Sequence, residues 1–133
     1  MKIRLDHVAV AVSDIAQAIE AFEASLGIEC EKTEEVPTES AQVAFFDLGG
    51  PHLELVQPTS PESAMGKSLQ KRGEGLHHIC LEVENLEIAM AAMKAKGIRL
   101  VSDEPRPGAN NSKICFVHPK SMNGVLIELV EKP

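Results

Sequence analysis

Tryptophan and tyrosine are absent from the 133-residue chain, and four phenylalanines leave aromatic content at 3%. So few flat rings exclude a stacking platform for nucleic-acid bases. Cations are scarce as well. Thirteen Lys and Arg against 20 Asp and Glu give a net charge of −7, which argues against a general nucleic-acid binder. No apolar run approaches the ~18 residues of a membrane span, the longest being short strand-like stretches such as residues 7–12 and 125–130. The opening Met1-Lys2-Ile3-Arg4 has neither the apolar core of a signal peptide nor the arginines of a transit sequence, so a cytoplasmic protein is expected. Cysteine is limited to Cys30, Cys80 and Cys115, an odd number without a Cys-x-x-Cys pair. These read as buried thiols in a reducing compartment, neither disulfides nor a zinc knuckle.

What is present is a repeat. Residues 5–12 alternate, with Val8, Val10 and Val12 on one face and His7, Ala9 and Ala11 on the other, the period of a strand. Ser13-Asp14 offers an N-cap to a helix carrying Ile15, Ala18, Ile19, Phe22 and Leu26, and Gly27 stops it. Extended stretches are expected at residues 30–36, 42–47 and 52–57, followed by a connector with a short helix over 62–71. The pattern then restarts with a strand at 76–83 and a helix on Leu86, Ala89, Met90 and Met93 that ends before Gly97. Strands at 99–102, 113–117 and 124–130 complete it. His7 falls on His78, Val10 on Leu81, Ile15 on Leu86, Phe22 on Met93 and Phe45 on Phe116, all at an offset of 71. Leu53-Glu54-Leu55-Val56 falls on Ile127-Glu128-Leu129-Val130 at an offset of 74. Such self-similarity implies two copies of one β-α-β-β-β unit, each too small to be stable alone. The expected fold is α+β. Two tandem βαβββ modules, residues 1–60 and 75–133 with a connector over 61–74, pack as one pseudo-symmetric, partly closed sheet around a metal site.

The repeated positions carry the chemistry. Each first strand puts a histidine, and each last strand a glutamate, on the face away from its aliphatic row. Alone, a strand histidine is usually a hydrogen-bonded structural residue and a strand glutamate a solvated one. Recurrence of both types at repeat positions favours convergence of His7, Glu54, His78 and Glu128 on one ion. Imidazole nitrogen and carboxylate oxygen suit Zn²⁺, Co²⁺, Ni²⁺, Mn²⁺ or Fe²⁺. His52, His77 and His118 lack this placement and read as structural or peripheral.

Four stretches carry a family resemblance: Leu5-Asp6-His7-Val8-Ala9-Val10, Leu53-Glu54-Leu55-Val56-Gln57-Pro58, Gly75-Leu76-His77-His78-Ile79, and Phe116-Val117-His118-Pro119-Lys120 running into Gly124-Val125-Leu126-Ile127-Glu128-Leu129. Over nearly its whole length the chain resembles the vicinal-oxygen-chelate superfamily, and within it the acyl-CoA epimerases. The resemblance implies metal ligands at His7, Glu54, His78 and Glu128, a divalent ion (Co²⁺, Zn²⁺, Ni²⁺ or Mn²⁺), an acyl-CoA substrate and a homodimer. It implies inversion at the carbon between a thioester and a carboxylate through an enolate, with glutamate bases. Epimerases with glutamine at the Glu54 position place a glutamate base on the preceding strand. Here that strand reads Gln42-Val43-Ala44-Phe45, so Glu54 is expected to act as second base beside Glu128. Cations for the CoA moiety are available at Lys71, Arg72, Lys113 and Lys120, and the turn at residues 121–124 offers backbone N–H groups. A glyoxalase I-like isomerase would use the same four ligands. A sequestering module on this fold often lacks the full set.

Overall fold

In the computed structural model, which describes residues 2–133, the chain order is β1 (Ile3–Ala11), α1 (Ile15–Leu26), β2 (Lys32–Val36), β3 (Ala41–Asp47), β4 (His52–Pro58), α2 (Ala64–Arg72), β5 (Gly75–Val83), α3 (Leu86–Ala95), β6 (Arg106–Pro107), β7 (Lys113–Val117) and β8 (Ile127–Glu131). Two compact units result, one of Val8–His77 and the other of the residues up to His7 with His78–Pro133. The two boundaries fall inside β1 and inside β5. No described helix is long and apolar enough to cross a membrane.

The repeat reappears as hydrogen bonds. The Asp14 side chain accepts from Gln17 N at the start of α1, and Asn85 accepts from Ile88 N at the start of α3. Each such cap satisfies an orphan donor of the first turn. A second is satisfied from the last strand of each module: Ile15 N donates to Gln57 Oε1 and Leu86 N to Glu131 Oε1, both at 2.8 Å. Gln57 and Glu131 lie at equivalent repeat positions, three residues beyond Glu54 and Glu128 and therefore on the opposite face. The same two strands therefore carry the glutamates and anchor the helices.

In the unit Val8–His77 the strand order is β2-β3-β4-β1, with β2–β3 and β3–β4 antiparallel. Helix α1 lays Ala18, Ile19 and Phe22 on Val10, Val12, Ala44, Phe46 and Leu55. Phe46 and Leu55 are fully buried there, each stabilising by roughly 1.5–3 kcal/mol relative to exposure. In the other unit the order is β1-β5-β8-β7-β6. Strand β8 runs parallel to β5 and antiparallel to β7, and α3 covers Leu81, Val83, Cys115, Val117 and Leu129. The opposite faces of β5, β7 and β8 bring together Cys80, Ile114, Phe116 and Val130. That face also holds His78 and Glu128.

Three expectations need correction. Residues 99–102 form only an isolated bridge, Leu100 to Val117, made by the bonds from Val101 N to Phe116 O and from His118 N to Arg99 O. The outer partner of β7 is instead Arg106–Pro107. Strand β8 begins at Ile127, not at 124, since Asn123 and Gly124 have φ of 54° and 89° and Val125 N is still bonded within the turn to Met122 O. Cys80 and Cys115 are buried, whereas Cys30 is only half-buried, its N–H held by Glu23 of α1. All three thiols are free.

Candidate metal centre

Strand alternation turns His7 inward on β1, His78 inward on β5 and Glu128 inward on β8. Pairing of β5 with β8 sets Cys80 opposite Glu128, which puts the carboxylate one strand away and two residues from His78. All three side chains belong to one unit and are 6–7% exposed. His7 Nε2 and His78 Nε2 stand 3.1 Å apart, and Glu128 Oε1 lies 3.1 Å from the first and 3.0 Å from the second. The imidazoles meet edge to face at 74°, and the Phe116 ring closes the far side of His78 at 5.4 Å.

Two imidazole nitrogens and a carboxylate oxygen at such mutual distances form a chelating triangle. Ligand atoms in adjacent positions around an ion at about 2.1 Å stand roughly 3.0 Å apart. The donor set and its spacing therefore fit a divalent ion of the first transition row or zinc.

Burial favours the neutral form of the Glu128 carboxyl. The hydrogen bonds and positive charge that His7 and His78 bring when protonated outweigh it and hold the group down to about 2. A buried carboxylate so paired is ionised at neutral pH. Behind His7, Nδ1 meets Asp6 Oδ2 at 2.7 Å, and Lys132 Nζ lies 2.7 Å from Asp6 Oδ1. Burial opposes ionisation of Asp6 too, but its bonds to His7 and Lys132 bring the carboxyl below its usual range. Cys80 Sγ lies near the same pair. Burial pushes its thiol far up, so it remains a protonated, inert packing group.

Three of the four expected ligands are thus brought together. Glu54 lies in the other unit, on β4 opposite Phe45 of β3, and is 8% exposed. Its side chain shares a face with Val56 and turns away from the α1-covered Leu53 and Leu55. His118 is peripheral: its Nδ1 accepts from Lys120 N and caps a short turn. His52 pairs with exposed Glu31 at 3.5 Å at the end of the β3–β4 hairpin.

The expected CoA contacts fare less evenly. Lys71 and Arg72 stand exposed in the last turn of α2, and Lys120 is exposed in the loop before β8. Lys113 departs from expectation. It sits on the helix-covered face of β7, pairing with Glu87 of α3 and Glu131 of β8 at 3.8 Å. Glu128 is registered against Phe116, on the other face. The turn at 121–124 also offers less than expected, because the N–H groups of Ser121, Met122 and Gly124 are spent on His118 O and Pro119 O. Asp6 and Lys132 were not foreseen. The signal available was Asp6 adjoining His7, and no local pattern points to Lys132.

The chain belongs to the glyoxalase/bleomycin resistance protein/dioxygenase superfamily, whose family profile matches residues 6–116. Within that class, the named relatives are epimerases. The chain is 38% identical over 128 residues to the ethylmalonyl-CoA/methylmalonyl-CoA epimerase of Cereibacter sphaeroides, covering 95% of this chain and 96% of that one. It is 39% identical over 127 residues to the mitochondrial methylmalonyl-CoA epimerase of Mus musculus, covering 95% and 71%. A solved variant of Streptomyces coelicolor methylmalonyl-CoA epimerase, in complex with 2-nitronate-propionyl-CoA, superposes with a TM-score of 0.91 at 38% identity, covering 97% and 94%. The fold is glyoxalase-like, as the sequence resemblance implied.

Proposed function

We propose that the protein is an isomerase that epimerises methylmalonyl-CoA at the carbon between its thioester and its carboxylate. His7, Glu54, His78 and Glu128 hold one divalent ion in this reading. The observation that carries it is the buried triangle of His7, His78 and Glu128 in a chain so similar to named epimerases.

Inversion requires a proton to leave one face of the carbon and return to the other, by way of an enolate. When bound, a divalent ion supplies the Lewis acidity that stabilises the enolate oxygen. The chain's own residues do the rest. His7 and His78 present nitrogen lone pairs to the ion from a buried wall, and Phe116, Ile114 and Val130 keep that wall apolar. Water is thereby kept from competing with the intended proton transfer, and electrostatic interactions inside gain strength. Glu54 and Glu128, one from each repeat, are the two bases, each contributing on the order of 10²–10⁴-fold. Lys71, Arg72 and Lys120 are proposed for the CoA phosphates. A cytoplasmic homodimer is proposed as well, and light scattering of the purified chain tests its stoichiometry.

Solvent deuterium exchange into the α-carbon of methylmalonyl-CoA tests the reaction directly. Exchange that is fast with Co²⁺ and abolished by chelator is expected, while the glutathione thiohemiacetal of methylglyoxal should not turn over. Absence of metal-dependent exchange would overturn the proposal. Glu54→Gln separates the two-base version: it should lose at least tenfold in kcat, and full activity would leave Glu128 as sole carboxylate base.

A further inference from the structure

We infer that Asp6 and Lys132 are positioning residues for His7: the Asp6 carboxylate, steadied by Lys132, fixes the imidazole proton on Nδ1 and leaves Nε2 bare toward His78 and Glu128. The consequence for ion binding rests on the metal reading above, whereas the tautomer does not.

An ionised carboxylate only accepts hydrogen bonds. At 2.7 Å from Asp6 Oδ2, Nδ1 of His7 is therefore the donor. A neutral imidazole then carries a lone pair on Nε2, which lies 3.1 Å from both His78 Nε2 and Glu128 Oε1. A bare nitrogen and a carboxylate oxygen that close repel each other unless a proton or a cation lies between them. By claiming the ring proton from behind, Asp6 leaves that role to a cation. The other oxygen of Asp6 takes Lys132 Nζ at 2.7 Å, and Lys132 also reaches Glu82 Oε1 at 3.6 Å, where Arg4 arrives at 3.4 Å. Lys132, itself tied to Glu82 of β5 beside Arg4 of β1, thus holds the Asp6 carboxylate in one orientation. Carboxylates hydrogen-bonded behind ligating histidines orient the ring and raise its basicity. The repeat does not supply this device twice, because the sequence counterpart of Asp6 is His77.

The test uses the full chain as wild type, Asp6→Ala, Asp6→Asn, Lys132→Met and the Asp6→Ala/Lys132→Met double variant. In metal-free protein at pH 8, long-range ¹⁵N–¹H spectra of labelled histidine read the His7 tautomer. The wild type should carry the proton on Nδ1, and Asp6→Ala should move population to Nε2. Co²⁺ affinity, read by competition with a chelating dye, should weaken about 10–100-fold in Asp6→Ala and less in Lys132→Met. The double variant should match Asp6→Ala alone, because Lys132 acts through Asp6. Asp6→Asn, which preserves the side chain's size, guards against misfolding and should fall between wild type and Asp6→Ala. A wild-type His7 protonated on Nε2, or Asp6 variants with unchanged tautomer and Co²⁺ affinity, would overturn the inference. Additive losses in the double variant would remove Lys132 from it. A wild type that binds no Co²⁺ yet changes tautomer on Asp6 replacement would defeat the metal reading and sustain the role of Asp6.

Discussion

Glutamine in place of Glu128 preserves the side chain's shape and removes its charge, leaving His7 and His78 facing an amide in a buried setting. Glu128→Gln should lower kcat by about 10²-fold or more and weaken metal affinity in parallel. Exchange assays and dye competition on one preparation check both. The metal-free protein offers a separate test through pH. Folding lowers the Glu128 carboxyl from its ordinary 4.5 to about 2, so between those values the unfolded chain binds the extra proton. The stabilisation is fully present above about pH 4.5 and is lost as pH falls toward 2. Its size is up to roughly 3 kcal/mol. Urea titrations from pH 5 to 2.5 should show that loss in wild type and a shallower one in Glu128→Gln; parallel curves would refute it. His7, His78 and Glu128 were legible in the sequence because they recur on the faces away from the aliphatic rows. Asp6 and Lys132 were not. Simple alternation sends the neighbour of an inward histidine to the far face, and only the completed strand order brings Lys132 beside it.

Element boundaries were legible where a local chemical signal marked them. Asp14 and Asn85 announce helices that the structure starts at Ile15 and Leu86, and Gly27 with φ of 67° ends the first. The loop before β8 was misread because Gly124-Val125-Leu126 has strand composition, while the left-handed backbone at Asn123 and Gly124 keeps it turning. Residues 99–102 failed for a related reason: Leu100-Val101 has strand composition, yet the stretch pairs with β7 at a single point. Gly66 in α2 supplies a prediction at this scale. A Cβ there would run into the backbone of Ser60 and Pro61, which cannot swing aside as a side chain would. Gly66→Ala should therefore destabilise by about 1–3 kcal/mol, although alanine is the better helix former. Calorimetry showing an equal or higher Tm would contradict that close approach.

At the level of the whole chain, the proposed ion would link metal binding to stability. An ion that binds only the folded form at 100 times its Kd adds about 2.7 kcal/mol. For a domain of this size, chelation should then lower Tm by roughly 8–10 °C. Glu128→Gln should show a smaller drop, and a chelator-insensitive Tm in wild type would argue against an ion at the triangle. The repeat foretold two modules in sequence order, yet the first strand is divided, its His7 end grouping with the second half of the chain. That division has a consequence for biosynthesis. Far apart in the sequence, His7 precedes β2–β8, whereas Glu128 lies within β8. A chain still lacking β8 has no Glu128 to complete the triangle. In the proposed reading, ion capture therefore waits for the synthesis of β8.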